Sequence, residues 1–191
     1  MRLATWARFC TALVVLAVLP MSFPPGIEAA SQPAVSFEAG ITRLVGDSTS
    51  YFADVRNVTS ARHADGETKY TLTFLIIGLS PCELDVFDDP GEPIFVICMA
   101  YQGTDDVAAR NIYQQVSARL CALAPHLGGR CVDEAPHNGS AGSLRVSTTA
   151  TQIAFESGAK ASVGYTTIFV PASTAASHRS VGVQIESPVA K

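Results

Sequence analysis

The sequence predicts an α+β domain, in which a mainly antiparallel sheet of roughly eight strands is curled around or packed on one amphipathic helix. Two observations support this fold class. Most of the chain after residue 30 consists of short segments with apolar residues at alternate positions, separated by turn residues rather than by crossover helices. One segment, 105–124, instead carries its apolar residues at helical spacing. Strands that follow one another through tight turns pair antiparallel.

The strands before the helix are predicted from alternation and from the turns between them. The best defined is 70–77, where the later half is apolar on both faces and therefore belongs near the centre of the sheet. Asp65-Gly66 and Asp89-Pro90-Gly91 are typical turn sequences, and the second predicts a hairpin. The predicted strands of this half span residues 35–44, 51–56, 70–77, 83–87 and 94–101.

The helix 105–124 is predicted from its caps as well as from its spacing. Thr104 or Asp105 can cap the N-terminus, where acidic residues also complement the helix dipole. Pro125 and the following glycines end the helix. We expect its apolar stripe to pack on the sheet rather than to form a groove for a partner; the stripe comprises Ala108, Ile112, Val116, Leu120 and Leu123.

The segment after the helix, 129–142, is expected to be irregular, and strands resume at residue 144. Val146 and Ile153 fall on opposite parities, which predicts a bulge or turn near residues 150–152. Further strands are predicted around 163–169 and 181–185, with a small polar loop at 173–180 between them.

The first thirty residues resemble a secretory signal peptide. Arg2 and Arg8 flank a basic start, an apolar run covers residues 9–19, and small residues end the segment at Ala29 and Ala30. The apolar run is shorter than the ~20 residues that a membrane-spanning helix needs. We therefore expect residues 1–30 to be a cleaved signal peptide and residues 31–191 to be a single globular domain that is periplasmic or secreted.

The four cysteines beyond the leader are expected to form two disulfides, because an even number of cysteines in an exported chain is typical of a disulfide framework. Counting outward from the 88–92 turn places Cys82 opposite Cys98. Cys121 lies near the end of the helix and Cys131 follows the next turn. We favour Cys82–Cys98 with Cys121–Cys131, and the other two pairings remain open. No C-x-x-C pair is present, so the sequence indicates no metal site and no cofactor.

The charge pattern argues against two classes of partner. The formal net charge is −4, and lysine and arginine are scattered without a basic run. A chain of this kind lacks the electrostatic signature of nucleic-acid binding or of association with anionic membranes. We expect no nucleic acid and no membrane insertion after signal removal, and the favoured partner is another protein.

The search for catalytic residues finds no convincing constellation. The four histidines fall in predicted turns or loops and form no helical i, i+4 pair. Ser157-Gly158-Ala159-Lys160 matches S-x-x-K but lies between two strands, where it predicts a turn. Asp133-Glu134 beside His137 brings carboxylates and an imidazole close in sequence, but no nucleophile accompanies them.

The leading hypothesis is an exported, non-enzymatic binding protein, such as an inhibitor, an immunity-type protein or an envelope accessory protein, that acts through a protein partner. The alternative is a carrier of a small apolar ligand in a cavity between sheet and helix, lined by Tyr70, Phe74, Tyr101, Tyr165 and Phe169. A hydrolase with an unrecognised site is the third hypothesis.

Overall fold

The computed structural model describes residues 32–64, 66–89, 91–134, 136–141, 144–169 and 177–188. The predicted signal peptide, the turn residues Asp65 and Pro90 and residues 173–176 of the predicted 173–180 loop lie outside these ranges. The loop prediction is wrong for residues 178–180, which begin the last strand. The predicted α+β class is confirmed: a mostly antiparallel nine-stranded sheet packs against two helices. No helix among the described residues combines the length and apolarity needed to cross a membrane.

The helices are α1 (Phe37–Asp47) and α2 (Asp106–Leu123), each followed by a short 3₁₀ turn (Ser48–Ser50 and Ala124–Leu127). The strands are β1 (Ala34–Val35), β2 (Arg56–Ala64), β3 (Glu67–Leu72), β4 (Leu75–Ile76), β5 (Cys82–Phe87), β6 (Phe95–Gly103), β7 (Gly129–Asp133), β8 (His137–Ala141), β9 (Leu144–Phe155), β10 (Lys160–Phe169) and β11 (His178–Glu186).

The nine-stranded sheet consists of two antiparallel meanders that meet at its centre. The order is β2-β3-β5-β6-β11-β10-β9-β7, and β8 also pairs with β9. β7 pairs with residues 151–155 of β9, whereas β8 pairs with residues 144–148. Because α2 lies between β6 and β7 in sequence, it carries the chain from the middle of the sheet to the edge formed by β7 and β8. The separate pair of β1 and β4 is parallel.

The prediction of a strand at 35–44 is wrong, because this segment forms α1. Its apolar residues satisfy both periods: Phe37, Ile41, Leu44 and Val45 have helical spacing, and all four are buried. Ser36 favours the helix locally, since its side chain caps it by accepting a hydrogen bond from the Ala39 amide (3.2 Å).

Two further strand predictions are corrected around α1. The 51–56 segment is a turn rather than a strand, and Tyr51 and Phe52 both have left-handed backbone conformations (φ 57° and 59°). Phe52 is nevertheless fully buried, which gives a packing reason for a conformation that is unfavourable for a bulky residue. The 70–77 strand is divided, because β3 ends at Leu72 and β4 pairs with β1 instead of joining the large sheet.

The chain after α2 is also more regular than expected. Residues 129–142 include β7 and β8, and β9 runs through residues 150–152 without a bulge, in unbroken register with β10. The parity argument failed because it assumed one buried face. Val146 and Ile153 point to opposite faces of β9, and both are buried.

The predicted packing of α2 on the sheet is confirmed. Asp105 caps the helix, with its Oδ1 accepting from the amides of Val107 (2.9 Å) and Ala108 (3.0 Å). Val116 and Leu120 are buried in the main core, whose other members come mainly from α1, from residues 52–55 and 74–79 and from one face of the sheet. We call this the helix face. The opposite face carries a separate small cluster of Phe95, Ile97 and Met99, with Phe87 beside it.

The disulfides follow the favoured pairing. Cys82 and Cys98 are directly opposed on β5 and β6 and are bonded to each other. The Cys121–Cys131 disulfide ties the last turn of α2 to β7. The helix exit and the start of the β7–β8 edge are therefore covalently joined.

Candidate binding groove

An open groove of about 730 Å³ lies at one end of the sheet, where β8, β9 and β10 run side by side. The described residues that line it are Asn138, Gly139, Ser140, Arg145, Ser147 and Phe169. All but Ser147 are exposed, and Phe169 exposes 45% of its surface, which is unusual for a phenylalanine.

The strand register arranges the groove residues in rows. Ser140 is opposite Arg145, and Arg145 is opposite Phe169. Asn138 is likewise opposite Ser147. Because paired residues project from the same face of a sheet, the side chains of each row lie next to one another. The groove is thus produced by side chains from three consecutive strands, β8, β9 and β10.

The N-terminal turn of α2 contacts β10 on the face that carries Phe169. The Tyr165 hydroxyl donates to Asp106 Oδ1 (2.6 Å), which anchors the helix start above β10. Phe169 lies on the same face of β10, four residues further along and past this contact. The groove residues therefore belong to the helix face, at a place that α2 does not cover.

Asp106 is held in place by several donors in addition to Tyr165. Arg179 Nε donates to Oδ1 (2.7 Å) and Arg110 Nε donates to Oδ2 (2.8 Å). The hydrogen bond from Tyr165, followed by those from Arg110 and Arg179, keeps the pKa of Asp106 well below its usual value. We assign this network a structural role, because it fixes the helix start against β10 and β11 and because the Asp106 carboxylate is already paired with Arg110 and Arg179.

The groove itself contains a cation without a matching anion. Among the described residues, Arg145 has no ion pair or hydrogen bond through its side chain, and the lining residues include no carboxylate. The neighbouring asparagine and serines supply neutral donors and acceptors. The groove can therefore hold an anionic group next to an apolar surface.

One long side of the groove is an unpaired strand edge. The Glu134 amide donates to the Ala150 carbonyl (3.0 Å), so even-numbered residues of β9 hydrogen-bond toward β7 and β8. Gly139, which pairs with an even-numbered residue, bonds to β9 in this pattern. Asn138 and Ser140 consequently direct their backbone N–H and C=O groups outward. Within the described ranges, β8 has no strand on that side.

The predicted acid–imidazole combination of Asp133, Glu134 and His137 does not converge on a single site. Asp133 lies on the helix face, where it accepts a hydrogen bond from Thr151 (3.1 Å). Glu134 and His137 belong to the opposite face by strand alternation. Burial raises the pKa of Glu134, while His137 and Lys160 oppose that rise. The two carboxylates are therefore separated by the sheet.

A charged cluster that the sequence analysis missed lies on the opposite face, across β3 and β5. The Lys69 amine is 3.1 Å from Glu67, 3.8 Å from Asp85 and 3.9 Å from Glu83, and Arg62 contacts Glu83 at 3.1 Å. Alternation within β5 was the available signal, because it places Glu83 and Asp85 on one face. Across the described chain, no group of three or more acidic, histidine or cysteine side chains has the arrangement of a metal site.

The five aromatic residues proposed for a ligand cavity have different positions. Phe74 is in the main core, and Tyr70 and Tyr101 pack against that core. Tyr165 is buried beneath the start of α2. Phe169 alone among the five lines the groove described above, which is at the end of the sheet rather than between sheet and helix.

Comparisons with known proteins add no family assignment. No protein-family model matches the chain, and neither the curated proteins nor the solved structures include a match.

Proposed function

We propose that this protein is an exported binding protein that recognises a protein partner by adding an extended segment of that partner to the outer edge of β8. The observation that carries the proposal is the adjacency of two features: outward backbone groups at Asn138 and Ser140, and a groove on the same strands. Strand addition obtains affinity from main-chain hydrogen bonds and specificity from pockets for alternate side chains.

The two edges of the sheet differ in a way that supports β8 as the binding edge. On the far edge, β2 has a break in register between Asn57 and Arg62, and Ser60 Oγ accepts the hydrogen bond of the Thr71 amide. Irregularities of this kind protect an edge strand from further pairing. β8 pairs with β9 over all five of its residues without such a break. β8 is therefore a regular template, whereas β2 is not.

The Cys121–Cys131 disulfide supports the proposal through preorganisation. It joins α2 to β7, and β7 and β8 pair with the same strand. A binding edge that is held in place before the partner arrives loses less conformational entropy on binding. The two disulfides are also compatible with an oxidising, extracytoplasmic compartment.

A display library of random twelve-residue peptides, selected on the purified protein, tests this function. We expect enriched peptides to shift the amide resonances of Asn138 and Ser140. Ser140→Pro removes an outward N–H and should weaken binding of these peptides about tenfold, equivalent to roughly 1.4 kcal/mol. Ser140→Ala keeps the N–H and is the matched control, with affinity close to that of the wild type.

The result that contradicts the proposal is equally specific. If the enriched peptides bind Ser140→Pro and wild type with the same affinity, and their resonance shifts map to another surface, then β8 is not the docking edge. Circular dichroism of the Ser140→Pro variant must show that it is folded, so that weaker binding can be attributed to the missing N–H rather than to unfolding.

A further inference from the structure

We infer that Arg145 binds the carboxylate of a glutamate in the docked segment, at the position that lies opposite Ser140. This inference rests on the proposed function, because it names the side chain that the groove prefers in a partner strand added to β8. It is argued from three properties of Arg145: its lack of a counter-ion, its distance from the added strand and its neighbours in the register.

The absence of a counter-ion distinguishes Arg145 from most other described basic residues. Arg62, Lys69, Arg110, Arg119, Lys160 and Arg179 form ion pairs, and Arg43 and Arg56 lie over aromatic rings. Within the described ranges, Arg130 is the other basic side chain without such a contact, and it lies outside the groove. In a chain of net charge −4, the groove is a local positive site, so it favours an anionic group.

The strand spacing selects the length of the acidic side chain. A strand added to β8 lies two strand spacings from β9, or about 9.6 Å from the backbone of Arg145. Ser140, which stands between them in the same row, is small and leaves the path open. A guanidinium on its long stem and the longer glutamate side chain can meet across this distance, whereas the aspartate carboxylate is one methylene further away.

The neighbours of Arg145 favour a specific ion pair. Phe169 is directly opposite it on β10 and adds an exposed apolar side chain to the same row. A strand docked on β8 covers this exposed row and excludes water from it, and the lower local dielectric then strengthens an ion pair relative to one in open solvent. The planar guanidinium can also bind a carboxylate through two hydrogen bonds, which adds geometric selectivity.

Three blocked pentapeptides of sequence Val-Thr-X-Thr-Val, with glutamate, glutamine or aspartate at X, test the inference by NMR titration of the isotopically labelled full protein. We expect the glutamate peptide to bind three- to tenfold more tightly than the glutamine and aspartate peptides and to shift the Arg145 Nε–Hε resonance. Arg145→Gln should abolish this preference. Arg130→Gln, which removes the other free guanidinium, should leave the preference unchanged.

The outcomes separate this inference from the proposed function. Equal affinities of the glutamate and glutamine peptides, with shifts in the Asn138 and Ser140 amides, would overturn the role of Arg145 and leave strand addition standing. No shift of those amides with any peptide would overturn both. If β8 signals instead change with protein concentration alone, and sedimentation shows a dimer, a second copy of this chain occupies the edge and both proposals are wrong.

Discussion

Lys69 on β3 and Asp85 on β5 are directly opposite each other, with Lys69 Nζ 3.8 Å from Asp85 Oδ2. The pKa of Asp85 is nevertheless raised rather than lowered as in an ordinary ion pair. Its side chain is buried, and its Oδ1 has no hydrogen-bond partner. Burial raises the pKa of Asp85 to about 6, and the attraction of Lys69 only partly opposes that rise.

The raised pKa predicts an unusual pH dependence of stability. Because Asp85 binds its proton more tightly in the folded state than in the unfolded state, its contribution to stability is complete below pH 4 and is lost as the pH rises through about 6. Asp85→Asn should therefore stabilise the protein at pH 7 by about 1–3 kcal/mol. Urea unfolding between pH 4.5 and 7.5 measures both effects.

The comparison with wild type supplies the control for this prediction. The wild-type free energy of unfolding should fall as the pH rises from 4.5 to about 6 and then level off, and the Asn variant should lose this component of the slope. An Asn variant that is less stable than wild type at pH 7 would show that the contact with Lys69 outweighs the cost of burying the charge.

Two glycines of α1 predict opposite effects of the same substitution. A Cβ at Gly40 would lie 2.7 Å from Ile76 Cγ1, whereas a Cβ at Gly46 would have no neighbour within 4 Å. Gly40→Ala should destabilise the protein by about 1–2 kcal/mol through overpacking. Gly46→Ala should stabilise it by up to about 1 kcal/mol through helix propensity. Thermal unfolding of the two variants measures this difference, and a stabilising Gly40→Ala would mean that β4 can move away from α1.

Substitutions at two adjacent positions of α2, one buried and one exposed, should have opposite effects on folding. Val116 is buried, so Val116→Asp places a carboxylate in the main core at a cost of several kcal/mol, comparable to the stability of a whole domain. We expect this variant not to fold. Gln115→Asp is one position away on the exposed side and should retain the wild-type circular dichroism spectrum. A well-folded Val116→Asp protein would contradict the assignment of the core.

The second disulfide predicts a measurable loss of both stability and binding. Replacing Cys121 and Cys131 together by alanine opens a loop that spans ten positions and should lower the free energy of unfolding by about 3 kcal/mol. Display peptides should then bind β8 more weakly, because β7 is no longer tied to the helix. Denaturant unfolding and peptide titration test the two effects. Unchanged peptide affinity would mean that the β8 edge is organised without this disulfide.

The predicted leader can be tested without reference to the fold. N-terminal sequencing of the exported protein should find a first residue at Ala30 or Ser31. Membrane-bound material that begins at Met1 would contradict cleavage.

Local sequence signals were sufficient for several elements. Asp105, the apolar stripe and Pro125 define α2 within one or two residues, because caps and helical spacing act over short distances. Counting from the 88–92 turn placed Cys82 opposite Cys98, because a hairpin transmits its register from the turn. For α1, by contrast, the same residues fit both periods, and the prediction chose the wrong one.

The candidate groove was beyond the reach of such signals. Ser140, Arg145 and Phe169 come from three strands, and residues 137–141 read as an irregular loop because Asn-Gly-Ser carries no strand periodicity. β8 is a strand only because β9 offers it an edge. The sequence predicted the α+β class and the main helix and favoured the disulfide pairing that the structure has, because these depend on neighbours in the chain. The structure decided two things that the sequence pattern does not show: that residues 137–141 join β9 as a strand, and that α2 covers the helix face of β10 but leaves the end that carries Arg145 and Phe169 uncovered. Both depend on how the helix packs on the assembled sheet, which no local pattern encodes.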